Sequence, residues 1–256
     1  MNSGPRIASL VPSVTELLAA LGLAPWLVAR TRFCTEPASL LEAVPKVGGT
    51  KDVNIEKLRR LAPTHAIVNV DENRLEAVQA LRQFVPTLVV THPQSPDDVD
   101  ALIVQISQTF GALPGVAARA AALREELRRE LDATPQTSSE VEVLYLIWRE
   151  PWMTVARDTY ISRLLAKVGW RTLPALDGGA HGAARYPVLH GSEPWLPDVR
   201  ELLLSSEPYP FDDLHVPEAR ALCPHSRVRL VDGALLSWYG SRTAAGLRYL
   251  RRLADS

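Results

Sequence analysis

The 256-residue chain has few cysteines, no long apolar run and almost no net charge. Cys34 and Cys223 are too few for a disulfide framework and form no C-x-x-C spacing. The two cysteines either form one disulfide bridge or are both reduced, and two reduced thiols are the simpler expectation. No apolar run approaches the roughly 20 residues that cross a bilayer, so we expect no membrane insertion. A basic region followed by an apolar one is missing at the start of the sequence, which predicts a cytoplasmic location.

The charge balance and the missing motifs exclude several function classes. A formal net charge of −1 provides no long-range attraction to phosphate backbones, so we expect no nucleic-acid partner. The sequence lacks G-x-G-x-x-G, the complete P-loop frame, H-E-x-x-H and G-x-S-x-G. None of the six histidines pairs with another at a spacing of four. We therefore predict no catalytic residues, no protein-bound metal and no required cofactor.

The central segment predicts one long, unbroken helix. Val116 to Ala133 contains neither Gly nor Pro and is rich in Ala, Leu, Glu and Arg, which favour helices. Apolar residues recur in it at steps of three and four. Strands alternate with helices on both sides, which is typical of parallel sheets covered by helices. We predict an α/β fold with two doubly wound lobes, 1–112 and 136–256, a bridging helix at 113–135, and a ligand cleft between the lobes.

Several local elements are also predicted. A helix over 16–21 is expected to be capped by Ser13 or Thr15, a helix over 55–61 by Asn54, and a last helix over 242–253 by Ser241. A buried strand is expected at 87–91 and a further strand at 227–231, whereas 173–196, with several glycines and prolines, is expected to be irregular.

Ligands of open parallel sheets bind outside the carboxyl ends of the strands, so the loops expected there supply the candidate site. Their aromatic faces beside single Arg or Lys groups fit a large, flat, partly anionic ligand. The candidate ligand-binding residues are Ser13, Phe33, Gly49, Thr50, Lys51 and Glu72 in the first lobe, and Trp148, Trp152, Tyr209, Trp238, Tyr239 and Arg242 in the second.

Each candidate has a purely structural alternative. Trp148 and Trp152 are equally well explained as core residues, because tryptophan is usually well buried. The Gly48-Gly49-Thr50-Lys51 stretch is explained more simply as a tight turn than as an anion site. For Trp238 and Arg242 the alternative is that Trp238 packs in the core and Arg242 is solvated.

Beyond single positions, several segments carry a family resemblance. They are Ile7 to Glu16 (IASLVPSVTE), Val47 to Thr50 (VGGT), Leu58 to Val68, the central helix, and the ending Ser237 to Arg242 (SWYGSR). With them the chain resembles the helical-backbone metal receptor superfamily, in particular its cobalamin-binding-protein-like branch of class III ABC-transporter substrate-binding proteins. The resemblance implies a metal chelate held in the interlobe cleft, whether cobalamin, haem or a ferric siderophore.

The same resemblance implies a partner and a second location. Such proteins are usually exported, which makes the periplasm the alternative to the cytoplasm, and they deliver their ligand to an ABC-transporter permease. They present one glutamate per lobe to that permease, and Glu76 and Glu193 lie near the expected places.

Three functions are therefore open. The first is a non-catalytic binding protein for a corrinoid or a related chelate. The second is a cytoplasmic enzyme that modifies such a ligand with the ionisable groups Cys34, Asp71, Glu72 and His215. The third is an adaptor that kept the fold and lost the ligand.

Overall fold

The protein, described over residues 4–134 and 140–256 of a computed structural model, is built from parallel strands and intervening helices. The strands are β1 (Ile7–Ser9), β2 (Leu27–Arg30), β3 (His65–Asn69), β4 (Thr87–Thr91), β5 (Val141–Leu146), β6 (Trp170–Thr172), β7 (Glu201–Ser205) and β8 (Arg227–Val231). The helices are α1 (Pro12–Ala20), α2 (Ala38–Leu41), α3 (Ile55–Leu61), α4 (Leu75–Leu81), α5 (Val99–Phe110), α6 (Val116–Asp132), α7 (Tyr160–Leu165), α8 (Val216–Leu222), α9 (Gly233–Ser237) and α10 (Thr243–Ala254). The α/β fold predicted from the sequence is confirmed.

Two four-stranded sheets share one topology. The first has the order β2-β1-β3-β4 and the second β6-β5-β7-β8, with every neighbouring pair parallel. In each sheet the chain first adds a strand on one side and then crosses to the other. The connections therefore diverge between β1 and β3 and between β5 and β7. A crevice forms at such a switch point, outside the carboxyl ends of the two strands, and it is the usual ligand site of an open α/β sheet.

The chain forms two compact units, each described by itself. The first consists of 4–93, 99–126 and 239–241 among the described residues, and the second of 94–98, 127–134, 140–238 and 242–256. The lobe boundaries predicted from the sequence stay a prediction, as does the cleft between lobes, and the last residue of the predicted bridging helix, Pro135, lies outside the described residues. Among the described residues, no helix has both the length and the apolar character needed to cross a membrane.

The inner strands β1, β3, β5 and β7 are largely buried on both faces, which explains their nearly continuous apolar sequences. In β1 all three residues are buried, and β7 buries Leu202 to Ser205. Buried apolar residues of β1, β2 and β3 pack with Leu58 and Leu81 from the flanking helices α3 and α4. Rigid strands thus fix the positions of the loops that follow them.

The strongest local signals are confirmed. The helix α3 begins after Asn54, whose Oδ1 accepts a hydrogen bond of 2.8 Å from the backbone N–H of Lys57. The strands β4 and β8 have the predicted bounds, and α6 ends one residue before the predicted end at Ala133. The predicted burial of β4 is wrong, because it is an edge strand and Thr87 and Val90 are exposed.

The predicted caps of two helices are wrong. Helix α1 begins at Pro12, four residues earlier than predicted, because proline suits the first helical turn, and its N-cap is Val11. Ser13 and Thr15 therefore lie inside the helix. Helix α10 is preceded by Arg242 as its N-cap, without a side-chain cap, so Ser241 does not cap it. The short elements β6, α8 and α9 had no sequence prediction, since three to seven residues carry little periodicity.

Candidate functional site

A buried layer of hydroxyl groups lies behind the carboxyl end of β1 in the first unit. The Thr15 hydroxyl lies 2.7 Å from Ser9 Oγ and 3.0 Å from Cys34 Sγ. Burial raises the pKa of the Cys34 thiol above its usual value, and this outweighs the hydrogen bonds from Thr15 and Thr31, which lower it. Cys34 and Cys223 are both free, which confirms the expectation of two reduced thiols. A buried thiol with a raised pKa does not provide the reactive thiolate that the enzyme hypothesis requires.

The loop after β3 is shaped by two asparagines. Asn69 Oδ1 accepts hydrogen bonds from the backbone N–H groups of Asp71 and Glu72, at 2.8 and 3.1 Å. Asn73 Oδ1 accepts another, of 2.8 Å, from the Asn69 N–H. Together these bonds fold the loop into a tight turn that places the partly exposed Glu72 at the switch point of the first sheet.

The glycine loop at 48–51 is tied to the loop after β3. The Asn73 amide donates to the Thr50 carbonyl at 3.0 Å, and the Lys51 ammonium donates to the Asp71 carbonyl. Gly48 has a φ of +101°, which favours glycine. Thr50, Lys51 and Glu72 are therefore brought together as predicted candidates, and the turn interpretation accounts for Gly48.

The segment 239–241 belongs to the first unit, although the sequence predicted Tyr239 in the second lobe. The Tyr239 hydroxyl donates to Glu72 Oε1 at 3.3 Å, and burial together with the Glu72 charge raises the pKa of Tyr239 far above its ordinary value. Ser13 is buried. Phe33, by contrast, is 50% exposed beneath the Arg32 guanidinium, which lies 5.0 Å from the ring centre. Phe33 is therefore the exposed aromatic face of this unit among the predicted candidates.

An aromatic cluster follows β5 and β7 at the switch point of the second unit. Trp148 is 41% exposed and meets the Tyr209 ring edge-on at 5.6 Å. Tyr209 contacts Phe211 at 4.6 Å, and Phe211 stacks on Trp152 at 5.9 Å. Trp152 and Tyr209 also pack against the core of this unit. The core interpretation thus fits Trp152, whereas Trp148 presents a ring to solvent.

Polar groups border this aromatic cluster. Tyr209 Oη lies 3.1 Å from His215 Nε2, and the other ring nitrogen of His215 lies 2.7 Å from Asp212 Oδ1. The guanidinium of Arg149 forms an ion pair with Glu218 at 2.7 Å. No group of three or more histidines, cysteines or carboxylates suited to a metal ion occurs in the described part of the chain.

A second group in this unit, formed by Glu207, Ser237, Trp238 and Arg242, combines an acid, a base and an indole. The Ser237 hydroxyl donates to Glu207 Oε1 at 3.0 Å, and Trp238 also hydrogen-bonds to Glu207. Arg242 lies over the Trp238 ring at 4.8 Å. Burial raises the pKa of Glu207, although Ser237, Trp238 and Arg242 favour its charged form. The arrangement brings the predicted Trp238 and Arg242 together around a carboxylate.

Glu207 was missed among the candidate residues. A position just after β7 indicates Glu207 as much as Tyr209, but a single glutamate in a loop has no sequence feature that distinguishes it from a solvated surface acid. The acid becomes distinctive only because α9, a helix absent from the sequence predictions, packs against it.

The two predicted docking glutamates have different surroundings. Glu76 lies exposed in the first turn of α4. Glu193 is partly buried, and its Oε1 accepts a hydrogen bond of 2.6 Å from the His190 N–H. Burial raises the pKa of Glu193, but hydrogen bonds from the backbone of 190–193 outweigh it and the net pKa is lowered. The lowered pKa of Glu193 favours its charged form, which an ion pair with a partner requires.

Comparisons with known proteins identify a family for this architecture. A family model described as periplasmic binding protein matches residues 7–184. The vitamin B12-binding protein of Vibrio parahaemolyticus is 28% identical over 183 residues, which are 71% of this chain and 64% of that protein. An uncharacterized ABC transporter substrate-binding lipoprotein of Bacillus subtilis is 29% identical over 168 residues, 62% of this chain and 52% of that protein. The chain thus spans less than two thirds of the length of these curated relatives.

Solved structures share the fold over nearly the whole chain. The periplasmic vitamin B12-binding protein of Vibrio cholerae superposes with a TM-score of 0.81 and 21% identity, covering 98% of both chains. The periplasmic heme-binding protein HutB of Vibrio cholerae gives a TM-score of 0.76 and 23% identity, again covering 98% of both chains. At these identities the likeness extends to the fold only.

Proposed function

This chain belongs to the periplasmic binding protein family, and we propose on that premise that it is a receptor for a metal chelate, with a corrinoid as its ligand. The family consists of binding proteins and not of enzymes, so the chain is not an enzyme. The hypothesis of a chelate-modifying enzyme is therefore wrong.

The observation that carries the proposal is the aromatic cluster at the β5–β7 switch point. Trp148 offers an exposed ring that meets Tyr209 edge-on, and Tyr209 in turn contacts Phe211 in a tilted arrangement. Flat apolar faces with a few polar groups beside them suit a large planar macrocycle. Phe33 and Glu72 offer the same combination at the carboxyl ends of the first sheet.

The choice of a corrinoid has two supports. Curated relatives of 28% and 24% identity are named as vitamin B12-binding proteins, and they align over 71% and 64% of this chain. The candidate surface of the second unit also has carboxylates beside its cations. Haem is the competing candidate, so the experiment has to distinguish haem binding from corrinoid binding.

Equilibrium titration tests this proposal. Purified protein is titrated with cyanocobalamin and, separately, with haemin, while tryptophan fluorescence and the heat of binding are recorded. We expect saturable cobalamin binding that Trp148→Ala weakens by about 1–3 kcal/mol, roughly 5- to 150-fold, because the ring loses its buried contact with the ligand.

The matched control is Phe84→Ala. Phe84 is an aromatic residue of the first unit that lies beneath the Arg59 guanidinium, 4.4 Å from it. It precedes β4 and so lies at the amino end of the strands, away from the candidate site. The Phe84→Ala variant should bind cobalamin with the same affinity as the unmodified protein. Absence of binding of either chelate up to about millimolar concentration, worth only about 4 kcal/mol, would refute the proposal and favour the adaptor.

We propose a periplasmic location and delivery to an ABC-transporter permease, with Glu76 and Glu193 as docking groups. The family description and the transporter relative of Bacillus subtilis support this reading over the cytoplasmic expectation. Fractionation of cells that express the native gene tests the location. Co-purification with a candidate permease should be lost in Glu76→Gln and Glu193→Gln together, and retained in Glu56→Gln, which replaces another exposed glutamate in the first turn of a helix of the first unit.

A further inference from the structure

We propose that Glu207 makes the receptor selective for chelates whose peripheral groups are neutral carboxamides, against chelates that carry free carboxylates. This inference rests on the proposed function and specifies the ligand class of the same site. Neither the family nor the fold determines it, because relatives of this fold are named for both vitamin B12 and heme.

The position of Glu207 is fixed by its backbone and by α9. The Ser205 hydroxyl donates to the Glu207 carbonyl at 2.5 Å. A Cβ on Gly233, the first residue of α9, would lie 2.8 Å from Glu207 Cγ and 2.3 Å from Ser205 Oγ. Gly233 therefore allows the acid to lie directly against the helix, where Ser237 and Trp238 at its other end reach the carboxylate. This carboxylate is held in one place before any ligand arrives.

The charges around Glu207 disfavour an anionic ligand group. The group contains two acids, Glu207 and Asp232, and one base, Arg242, which already faces Glu207 and the Trp238 ring. Arg149, a cation in the loop after β5, is paired with Glu218 and Glu150 at 2.7 and 3.2 Å. A ligand carboxylate arriving here would have to compete with protein carboxylates for both guanidinium groups.

A carboxamide group of a ligand is favoured by the same charges. Its N–H groups donate to a carboxylate in a charge-assisted hydrogen bond, and its lack of charge avoids the repulsion. The partial burial of Glu207 strengthens both effects, because interactions between charges are screened less away from water. The same acid thus attracts amide-bearing ligands and repels acidic ones.

Two corrinoids with the same ring separate these effects. Dicyanocobinamide carries carboxamides, whereas dicyanocobyrinic acid carries free carboxylates at the corresponding positions. We expect the unmodified protein to bind the amide form more tightly. Glu207→Gln should reduce this preference by about tenfold or more, the size of one hydrogen bond to a charged group. Arg242→Gln should change it in the opposite direction, since it removes the cation that offsets the acid.

The control is Asp232→Asn, which removes a neighbouring acid while Asn retains the cap that Asp232 Oδ1 provides to the Leu235 N–H at 3.0 Å. It should alter the preference much less than Glu207→Gln. If Glu207→Gln fails to fold, as judged by circular dichroism, the direction of the Arg242→Gln effect decides. An unchanged preference in Glu207→Gln, or a preference reduced by Arg242→Gln, overturns the inference while the proposed function stands. Failure of both corrinoids to bind the unmodified protein overturns both.

Discussion

Glu130 provides a sharp test of what holds the second unit together. It lies near the end of α6, where Oε1 accepts a hydrogen bond of 2.8 Å from Arg248 and Oε2 one of 2.6 Å from Arg251, both on α10. Arg251 also donates to the Glu130 carbonyl and to Thr134 Oγ1. One carboxylate thus binds the end of the long helix to the last helix of the chain.

The magnitude follows from these contacts. A hydrogen bond to a charged group contributes about 1.5–3 kcal/mol when well shielded. The side chains of Arg248 and Arg251 are 38% and 26% exposed, so water screens part of the interaction. We expect Glu130→Gln to lower the free energy of unfolding by about 1.5–3 kcal/mol in total near neutral pH, because one amide oxygen replaces a charged pair of acceptors.

The pH dependence has a definite sign. Burial raises the pKa of Glu130, but the hydrogen bonds and charges of Arg251 and Arg248 outweigh it and hold the pKa below the ordinary value of 4.5. The stabilisation is therefore complete above the unfolded-state value and is lost as the pH falls through the lower folded-state pKa. The difference between the two proteins should be constant from neutral pH to about pH 5 and shrink in more acidic solution.

Urea unfolding followed by circular dichroism over this pH range measures the difference. Asp132→Asn is the matched control, because Asp132 lies on the same helix and pairs with Arg128 at 3.0 Å, yet both side chains are more than 60% exposed, at 67% and 61%. It should cost no more than about 0.5 kcal/mol. Equal losses in the two variants, or a Glu130→Gln deficit that persists unchanged in acid, would refute the reasoning.

Three further outcomes are expected. Asp158→Asn should destabilise the protein by about 3–5 kcal/mol in urea unfolding, because it removes the carboxylate that lies 3.4 Å from the buried Arg185 guanidinium. A loss below about 1 kcal/mol would contradict this expectation. Gly233→Ala should both lower the thermal unfolding midpoint and weaken cobalamin binding, because the added Cβ would clash with Ser205 Oγ and Glu207 Cγ. Unchanged binding would argue against a role of Glu207 in the ligand site. Cys34 and Cys223 should react with a disulfide reagent only after unfolding, because both are buried and burial raises their pKa, to about 11 for Cys223. Rapid labelling of the folded protein would contradict the burial of these thiols.

The sequence predicted elements well where local chemistry determined them. Asn54 caps α3 because its side chain bonds the N–H of Lys57 within one helical turn, and this signal is complete in the sequence. The hydroxyl of Thr15 looked like a similar signal. It bonds instead to Val11, Ser9 and Cys34, contacts that exist only after β1 and the loop after β2 have come together. A cap-forming residue type is therefore informative only when no tertiary partner competes for it.

The candidate site shows the same difference between local signals and tertiary contacts. Loops at the carboxyl ends of β5 and β7 could be located from the alternation of strands and helices, and Trp148 and Tyr209 lie at the β5–β7 switch point. Which of two tryptophans is exposed could not be predicted, because Trp148 and Trp152 occur four residues apart in one loop. Only the stacking of Trp152 on Phe211 in the core distinguishes them.

Ligand identity is the property that the fold leaves undetermined. Proteins named for vitamin B12 and for heme share this architecture, so the aromatic faces that suit one macrocycle also suit the other. The difference between the two ligand classes lies in their rims, where carboxamides or carboxylates project from the ring. Discrimination therefore has to come from polar groups beside the aromatic faces. In the second unit we assign this role to Glu207, held by Ser237 and Trp238, and Glu207→Gln tests it because the substitution removes the charge while nearly conserving the shape of the side chain.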